Sequence, residues 1–326
     1  MQESFLEMLA EPETGASFQL RVTASEGDRI IAGNLISEVT DRTYPIVRGI
    51  PRFTDAHNYA SSFGAQWNAF RSTQLDSTTG TAASFERFAN ETKWRSEDLS
   101  GRWVLDGGCG AGRFAEVAAQ TGAKLVGLDF SSAVDAAAET LRNYPDVQLV
   151  QGSLLAPPFK PGSFDYAYCI GVVQHTPDPE KVVEQVIRCV KDGGEFAFTI
   201  YARRPWTKLN AKYLVRPVTK RIPQPILKKG IEWAMPVLFP VTDRLFRLPM
   251  LGKVARFTIP VANYVEREDL TREERYEEAV LDTHDMLSPA FDSPMTWQEV
   301  ERVLDRVSAR DWSFNTKVPI NLVGTR

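Results

Sequence analysis

Short apolar runs alternate with amphipathic segments along the middle of the chain, which is the pattern of βαβ units on a parallel sheet. Five runs predict strands, and they cover residues 103–106, 124–129, 147–150, 164–170 and 195–201. Ser131 or Ser132 can cap a helix that runs to Leu141, and Asp178 can cap a second helix that Gly193 and Gly194 should end. Residues 100–202 are therefore predicted to form a doubly wound, mostly parallel α/β core.

The flanking segments have different patterns, and they predict four further regions. Residues 1–55 read as a small β-rich leader, with strands at 18–22, 29–32 and 34–39 separated by turns at Gly27 and Gly33. Residues 56–99 read as helices, and 203–295 as a basic helical insertion over the substrate. Residues 296–326 predict a helix near 297–307 and a hairpin of 311–314 with 318–323, which would complete the sheet.

The strongest chemical signal is a strand that leads directly into glycines, in the sequence VLDGGCGAGRF at residues 104–114. Glycine lets the backbone approach a ligand closely and adopt turns that a Cβ forbids. The dinucleotide motif GxGxxG is not matched, because its third glycine would fall at Arg113. The next strand ends at Asp129, whose carboxylate could accept hydrogen bonds from a ribose diol. The glycine loop and Asp129 together predict a nucleoside ligand. The glycines alone could form only a tight turn between a strand and a helix.

These motifs resemble those of a known enzyme family. Residues 104–114 resemble motif I of class I S-adenosylmethionine (SAM) dependent methyltransferases, and residues 126–131 resemble the ribose-binding motif that follows it. The run FDYAYCIGVVQHTPDP at 164–179 is similar to the fourth-strand motif of relatives that methylate small molecules. The resemblance covers residues 56–202 and the terminal hairpin. It implies a Rossmann-like fold, SAM as cofactor, and methyl transfer to an O, N or C atom of a small molecule, such as a lipid, glycan or specialised metabolite.

The resemblance also implies cofactor-binding residues, with Asp106 and the glycines flanking the methionine moiety and Asp129 holding the ribose. The full set is Asp106, Gly108, Cys109, Gly110, Gly112, Asp129, Phe130, Ser131, Ser153, Leu154 and Ile170. One position departs from the family pattern, because the third strand usually ends in an Asp that meets the adenine and Ser153 stands here instead. This departure motivates an alternative, a non-catalytic methyltransferase-fold subunit that binds or regulates a partner.

A segment before the glycine loop, residues 59–71, resembles the lid of some bacterial small-molecule methyltransferases. Trp67 and Arg71 are four residues apart and hence on one helix face, and Arg71 could pair with the cofactor carboxylate. An amphipathic helix with an aromatic core stripe explains the same pattern equally well.

His175 follows the fourth predicted strand, at the sheet edge where ligands bind in open α/β folds. A histidine there can act as a general base near neutral pH. Methyl transfer from a sulfonium depends largely on positioning, so a pocket-shaping role is the alternative. Residues expected on the substrate side are Tyr201, Tyr264, His284 and Asp285, of which the last two lie in a polar cluster that resembles a substrate-side loop of relatives.

Composition narrows the class of protein. The chain is 43% apolar and 25% charged with a net charge of -4, which argues against disorder and against a dedicated nucleic-acid binder. The three cysteines lack CxxC spacing, so we expect neither a metal site nor disulfides. No basic and apolar leader opens the sequence, and no uncharged apolar run reaches ~18 residues. We therefore expect a cytoplasmic protein.

Residues 203–256 are unusually basic. They contain 13 Lys or Arg and two acids, so this stretch carries +11 and the rest of the chain -15. Apolar residues interleave with the cations, a pattern that suits an anionic membrane surface or a lipid or phosphorylated substrate, with the protein peripheral to a membrane. The alternative is a helical cap with a solvated basic face, favoured by prolines expected to break any long helix. These prolines are Pro217, Pro223, Pro225, Pro236 and Pro240.

The end of the leader, residues 44–53, resembles the last strand of the small Trm112-like zinc-ribbon domain. The metal cysteines of that family do not occur in residues 1–55. The resemblance therefore implies a zinc-free β module that serves packing or dimerisation.

Overall fold

The structure is a computed structural model of the 326-residue chain, and it describes residues 1–54, 60, 75–267 and 270–326. The predicted lid residues Trp67 and Arg71 lie outside these ranges. The chain divides into two compact units, one of residues 1–202 with 291–326 and one of residues 203–290.

Eleven strands lie in the described ranges. They are β1 (Phe18–Glu26), β2 (Arg29–Ser37), β3 (Thr43–Val47), β4 (Ile50–Pro51), β5 (Trp103–Gly107), β6 (Lys124–Asp129), β7 (Val147–Gln151), β8 (Phe164–Ile170), β9 (Val190–Ile200), β10 (Arg310–Lys317) and β11 (Ile320–Thr325). The α-helices there are α1 (Asp76–Thr79), α2 (Ala83–Thr92), α3 (Ser96–Leu99), α4 (Arg113–Gln120), α5 (Ala133–Thr140), α6 (Pro179–Cys189), α7 (Ala211–Thr219), α8 (Gln224–Leu245), α9 (Leu251–Thr258), α10 (Arg272–Leu287) and α11 (Trp297–Arg306).

The central sheet has seven strands in the order β10-β11-β9-β8-β5-β6-β7. Strands β5 to β9 pair in parallel, and the hairpin of β10 and β11 adds antiparallel strands next to β9. This confirms the predicted doubly wound, mostly parallel sheet. The chain passes from β5 through β6 to β7 on one side and then returns to β8 on the other, so β5 lies at the topological switch point where such sheets bind ligands.

Two glycine signals predicted element ends that the structure does not have. Helix α6 ends at Cys189, and β9 continues through Gly193 and Gly194, so these glycines do not stop the helix. A Cβ on Gly194 would lie 2.6 Å from the Asp165 carbonyl oxygen, so close strand packing is what requires glycine there. Gly33 likewise lies inside β2, where a Cβ would meet the Arg21 carbonyl oxygen at 2.6 Å.

The leader forms its own antiparallel sheet, in the order β1-β2-β3-β4. Its apolar side chains Phe5, Leu35 and Ile46 belong to the same buried cluster as Val150 and Phe164 of the central sheet. The leader ends beside the edge strand β7, where Arg52 forms a parallel bridge with Gln151. The leader is thus packed onto the α/β core rather than set apart from it.

The unit of residues 203–290 is helical, and its longest helix corrects the expectation about prolines. Helix α8 extends over 22 residues with Pro236 and Pro240 inside it, and Pro217 lies inside α7. The helix persists because one face is buried in an apolar cluster with Leu227, Ile231, Met235 and Phe239. Within the described ranges, no helix is both long and apolar enough to cross a membrane.

Candidate functional site

The glycine loop leaves the carboxyl end of β5 in a conformation that requires glycine. Gly108 has φ +88°, and a Cβ there would lie 2.5 Å from Cγ1 of Val172. Gly112 has φ +94° and caps the start of α4. The backbone N–H groups of Gly108 and Cys109 both donate to the Leu128 carbonyl, at 2.7 and 3.1 Å. The loop is therefore held against the end of β6.

The carboxylate of Asp129, at the end of β6, is fixed by three donors. It accepts hydrogen bonds from the Gly110 N–H at 2.9 Å, the Ser131 N–H at 2.8 Å and the Ser131 hydroxyl at 2.7 Å. Burial raises the pKa of Asp129, and these hydrogen bonds oppose the rise. The sequence placed the glycines and this acid in separate motifs, and the structure brings them into direct contact.

A second carboxyl lies at the base of the glycine loop. Asp106, in β5, is 3% exposed, and its register partner in β8 is Tyr168. Asp106 Oδ2 and the Tyr168 hydroxyl are both buried, and neither has a hydrogen-bond partner within the described part of the chain. Burial raises the pKa of Asp106 to about 8, the charge of Asp129 adds to the rise, and the nearby Tyr168 hydroxyl opposes it. A buried acceptor of this kind suits a ligand that donates a hydrogen bond or carries positive charge.

Cys109, Leu154 and Ile170 are buried, and two of them shape the loop by packing. The Cys109 sulfur lies 3.0 Å from the position of a Cβ on Gly127, and burial raises the pKa of this thiol. Leu154 packs under Gly107, with its Cδ2 atom 3.2 Å from the Cβ position there. These contacts hold the loop in place, whether or not the same side chains also touch a ligand.

Two polar residues that meet at the end of β7 were not identified from the sequence. Gln151, the register partner of Asp129, donates from Nε2 to the Phe130 carbonyl at 3.3 Å. Arg52 donates to Gln151 Oε1 at 2.9 Å and forms an ion pair with Asp135 at 2.6 Å. Ser153, predicted to serve the adenine, accepts a hydrogen bond from the Leu155 N–H at 3.1 Å. No sequence pattern near Arg52 predicts its role, because its partners lie about a hundred residues away in sequence.

His175 and Tyr201, predicted as a catalytic and a substrate residue, are neighbours in the structure. His175 lies in the short 3-10 helix Val173–His175 after β8, and its ring is 5.6 Å from that of Tyr201 in an edge-on arrangement. Its Nδ1 atom is 3.3 Å from the Phe291 carbonyl oxygen. Gln174, which the sequence did not single out, is fully buried and joins Gly171 to the Tyr201 N–H. This amide fixes the end of β9 beside the histidine.

The other three predicted substrate residues belong to the unit of residues 203–290. Tyr264 is exposed, whereas His284 lies buried on α10, next to Asp285. Burial lowers the pKa of His284, and the charge of Lys228 lowers it further. The imidazole is therefore neutral at pH 7.

Comparison with known proteins shows what the α/β core is similar to. Residues 105–198 match the family model described as a methyltransferase domain. The ubiquinone biosynthesis O-methyltransferase of Sodalis glossinidius is 35% identical over 133 residues, which cover 39% of this chain and 53% of that protein. The protein of the same name from Pseudomonas entomophila is 35% identical over 130 residues, covering 39% and 56%. This chain thus spans about half the length of the curated relatives that it matches.

Among solved structures, the chain is similar to phosphoethanolamine N-methyltransferase 1 of Haemonchus contortus, with 18% identity, a TM-score of 0.36, and coverage of 47% of this chain and 34% of that one. The strand order of the central sheet defines the fold. Residues 105–198 thus resemble a methyltransferase domain. The residues present fit SAM. The fixed carboxylate of Asp129 lies close to the buried acceptor of Asp106 and to a glycine loop that has no space for a Cβ at Gly108.

Proposed function

We propose that this chain transfers the methyl group of SAM to a small molecule. The observation that carries the proposal is the contact between the glycine loop and Asp129, beside the buried acceptor of Asp106. In this arrangement Asp129 would hold the ribose, Asp106 and the loop backbone would face the methionine moiety, and Ser153 would meet the adenine. Trp67 and Arg71 belong to the proposal as lid residues. SAM supplies a methyl group on a positively charged sulfur, ready for in-line displacement.

The protein's own contribution is positioning and, at one atom, proton transfer. Donation from His175 Nδ1 to the Phe291 carbonyl leaves Nε2 as the basic nitrogen of the ring. From there it can take the proton of an acceptor hydroxyl as the methyl group arrives. Because two relatives are named O-methyltransferases, a hydroxyl oxygen is the acceptor atom that we favour. Tyr201 would form the neighbouring wall of the acceptor site. Tyr264, His284 and Asp285 stay predicted substrate residues of the unit of residues 203–290.

The proposal extends to partners and location. We place the protein in the cytoplasm, with residues 203–256 in contact with an anionic partner because this stretch carries +11. A homodimer is also predicted, with the leader sheet as the packing module, and sedimentation velocity would test it.

Turnover tests this function directly. The purified chain is incubated with SAM and a panel of hydroxylated small molecules, and release of S-adenosylhomocysteine is measured. We expect release that depends on the acceptor. His175→Ala should lower kcat by about 10²–10⁴-fold and remove the fall in rate at acidic pH, since these are the effects of losing a general base. Tyr201→Phe, which keeps the ring beside His175, is the matched control and should retain the pH profile. A folded wild-type protein that neither binds SAM nor releases S-adenosylhomocysteine would contradict the proposal.

A further inference from the structure

Helix α8 presents apolar side chains on two opposite faces. The buried face packs through Leu227, Ile231, Met235 and Phe239. The outward face carries apolar residues seven, four and four positions apart, which places them on one stripe of the helix. They are Ile226, Trp233, Val237 and Val241, and all are more than half exposed. Trp233 is 85% exposed, which is unusual for the largest apolar side chain.

Other elements of residues 203–256 also expose apolar side chains. Exposed apolar side chains also occur on α7, on α9 and in the turn between α8 and α9. They are Leu214, Val218, Leu248, Met250, Leu251 and Val254. Met250 is 84% exposed at the tip of that turn. Scattered apolar residues are normal on protein surfaces, but so many in one 54-residue segment indicate a contact surface.

Exposed basic residues occur among these apolar residues. Five exposed basic residues make no ion pair within the described residues, namely Lys208, Lys220, Lys229, Arg244 and Lys253. The two acids of the segment are both engaged, since Asp243 pairs with Arg275 at 2.7 Å and Glu232 lies 3.8 Å from Lys228. The surface is therefore both apolar and cationic, and we call it the basic-apolar face.

We propose that the basic-apolar face docks on an anionic lipid bilayer. Exposed Trp and aliphatic residues would enter the boundary between headgroups and acyl chains, and the lysine and arginine side chains would meet lipid phosphates. Charge favours an anionic partner, because two copies of a face with five cations that make no ion pair within the described residues would repel each other. The helix lies in the interface, since no described helix can cross a bilayer. Docking would bring the protein to an acceptor held in lipid, and this consequence rests on the proposed function.

Vesicle flotation of the full chain tests the docking. We expect the protein to float with phosphatidylcholine vesicles that contain phosphatidylglycerol, to float weakly with phosphatidylcholine alone, and to be released by salt. Lys229→Glu with Arg244→Glu should weaken binding by about 25-fold or more, at roughly fivefold for each cation lost. Trp233→Ser with Met250→Ser should weaken it by about tenfold or more. The matched controls are Lys181→Glu and Val39→Ser, exposed residues of the other unit, and both should float like the wild type.

Trp233→Phe gives a second readout, because it keeps an apolar ring and removes the indole. It should float like the wild type. The wild-type minus variant fluorescence spectrum should shift to the blue when phosphatidylglycerol vesicles are added, as the indole leaves water. An unshifted difference spectrum with vesicle-bound protein would show that another surface docks.

Three outcomes would overturn the inference. The first two are equal flotation with neutral and anionic vesicles, and flotation unaffected by the paired substitutions. The third is loss of a dimer in the same variants, which would show that the face binds a second copy of the chain. Calorimetry with SAM separates this inference from the proposed function. A wild-type protein that binds SAM but not vesicles would contradict only the docking inference. One that binds vesicles but not SAM would contradict only the proposed methyltransferase function.

Discussion

At the scale of single residues, Asp106 has the most consequential surroundings. Its pKa is raised to about 8, against 3.8 for a carboxyl in water. Between these values the folded state binds more protons than the unfolded state, so the free energy of unfolding falls as pH rises through this window. Asp106→Asn should remove that slope, which is on the order of 1 kcal/mol per pH unit.

Urea unfolding at about pH 5 and about pH 8 measures this prediction. The wild-type protein should lose more stability than Asp106→Asn over that range, and Asp146→Asn, on an exposed residue, should follow the wild type. Equal losses in the wild type and Asp106→Asn would show that Asp106 ionises as it does in water.

Single residues also show what the sequence could and could not reveal. Asp129 and the glycines were identifiable because their chemistry depends on local spacing. Tyr168, Gln174 and Arg52 were missed, because their roles come from partners on other strands and their residue types are common in any sequence. The expectations for Trp67 and Arg71 stay predictions.

At the scale of elements, Arg52 is one of the polar attachments between the leader and the central sheet. The Arg52 side chain is 12% exposed and bonds both Gln151 and Asp135, whereas Arg48 is 69% exposed and pairs with the same Asp135 at 2.7 Å. Arg52→Ala should lower the free energy of unfolding by about 1–3 kcal/mol, because it removes the donor to the buried Gln151 amide oxygen and the less exposed of the two ion-pair partners of Asp135. Arg48→Ala should cost less than about 1 kcal/mol, as exposed ion pairs do.

Chemical denaturation of the two variants checks the difference. Similar losses for both would contradict the prediction, because the two bonds of Arg52 would then stabilise the protein no more than the exposed ion pair of Arg48 does.

The elements of the core were predictable because buried parallel strands are continuous apolar runs, and all five predicted strands are present. The errors fell on glycine and proline. Gly33, Gly193 and Gly194 permit close approach between strands, and Pro236 and Pro240 are tolerated in a helix whose other face is buried. In each case a tertiary contact outweighs a local signal, and such contacts cannot be predicted from the residues adjacent in sequence.

At the scale of the whole molecule, charge is divided unevenly between the two units. Residues 203–290 contain 16 Lys or Arg and 11 Asp or Glu, a net +5, so the remaining residues carry -9. The predicted cofactor residues lie in the acidic unit and the basic-apolar face in the other. This division is consistent with one unit for SAM and one for an anionic partner, and the two activities can be measured independently.

The central claim is that the glycine loop and Asp129 bind SAM, and calorimetric titration tests it most directly. SAM and S-adenosylhomocysteine are titrated into the wild type, Asp129→Ala and the exposed control Asp146→Ala, with NADH as a control ligand. We predict micromolar binding of both SAM compounds by the wild type and the control, and no binding of NADH. Asp129→Ala should lose ~1–3 kcal/mol of binding free energy, the range for hydrogen bonds to a charged group. A folded wild type that binds neither SAM compound, or an Asp129→Ala variant that binds as tightly as the wild type, would contradict the account.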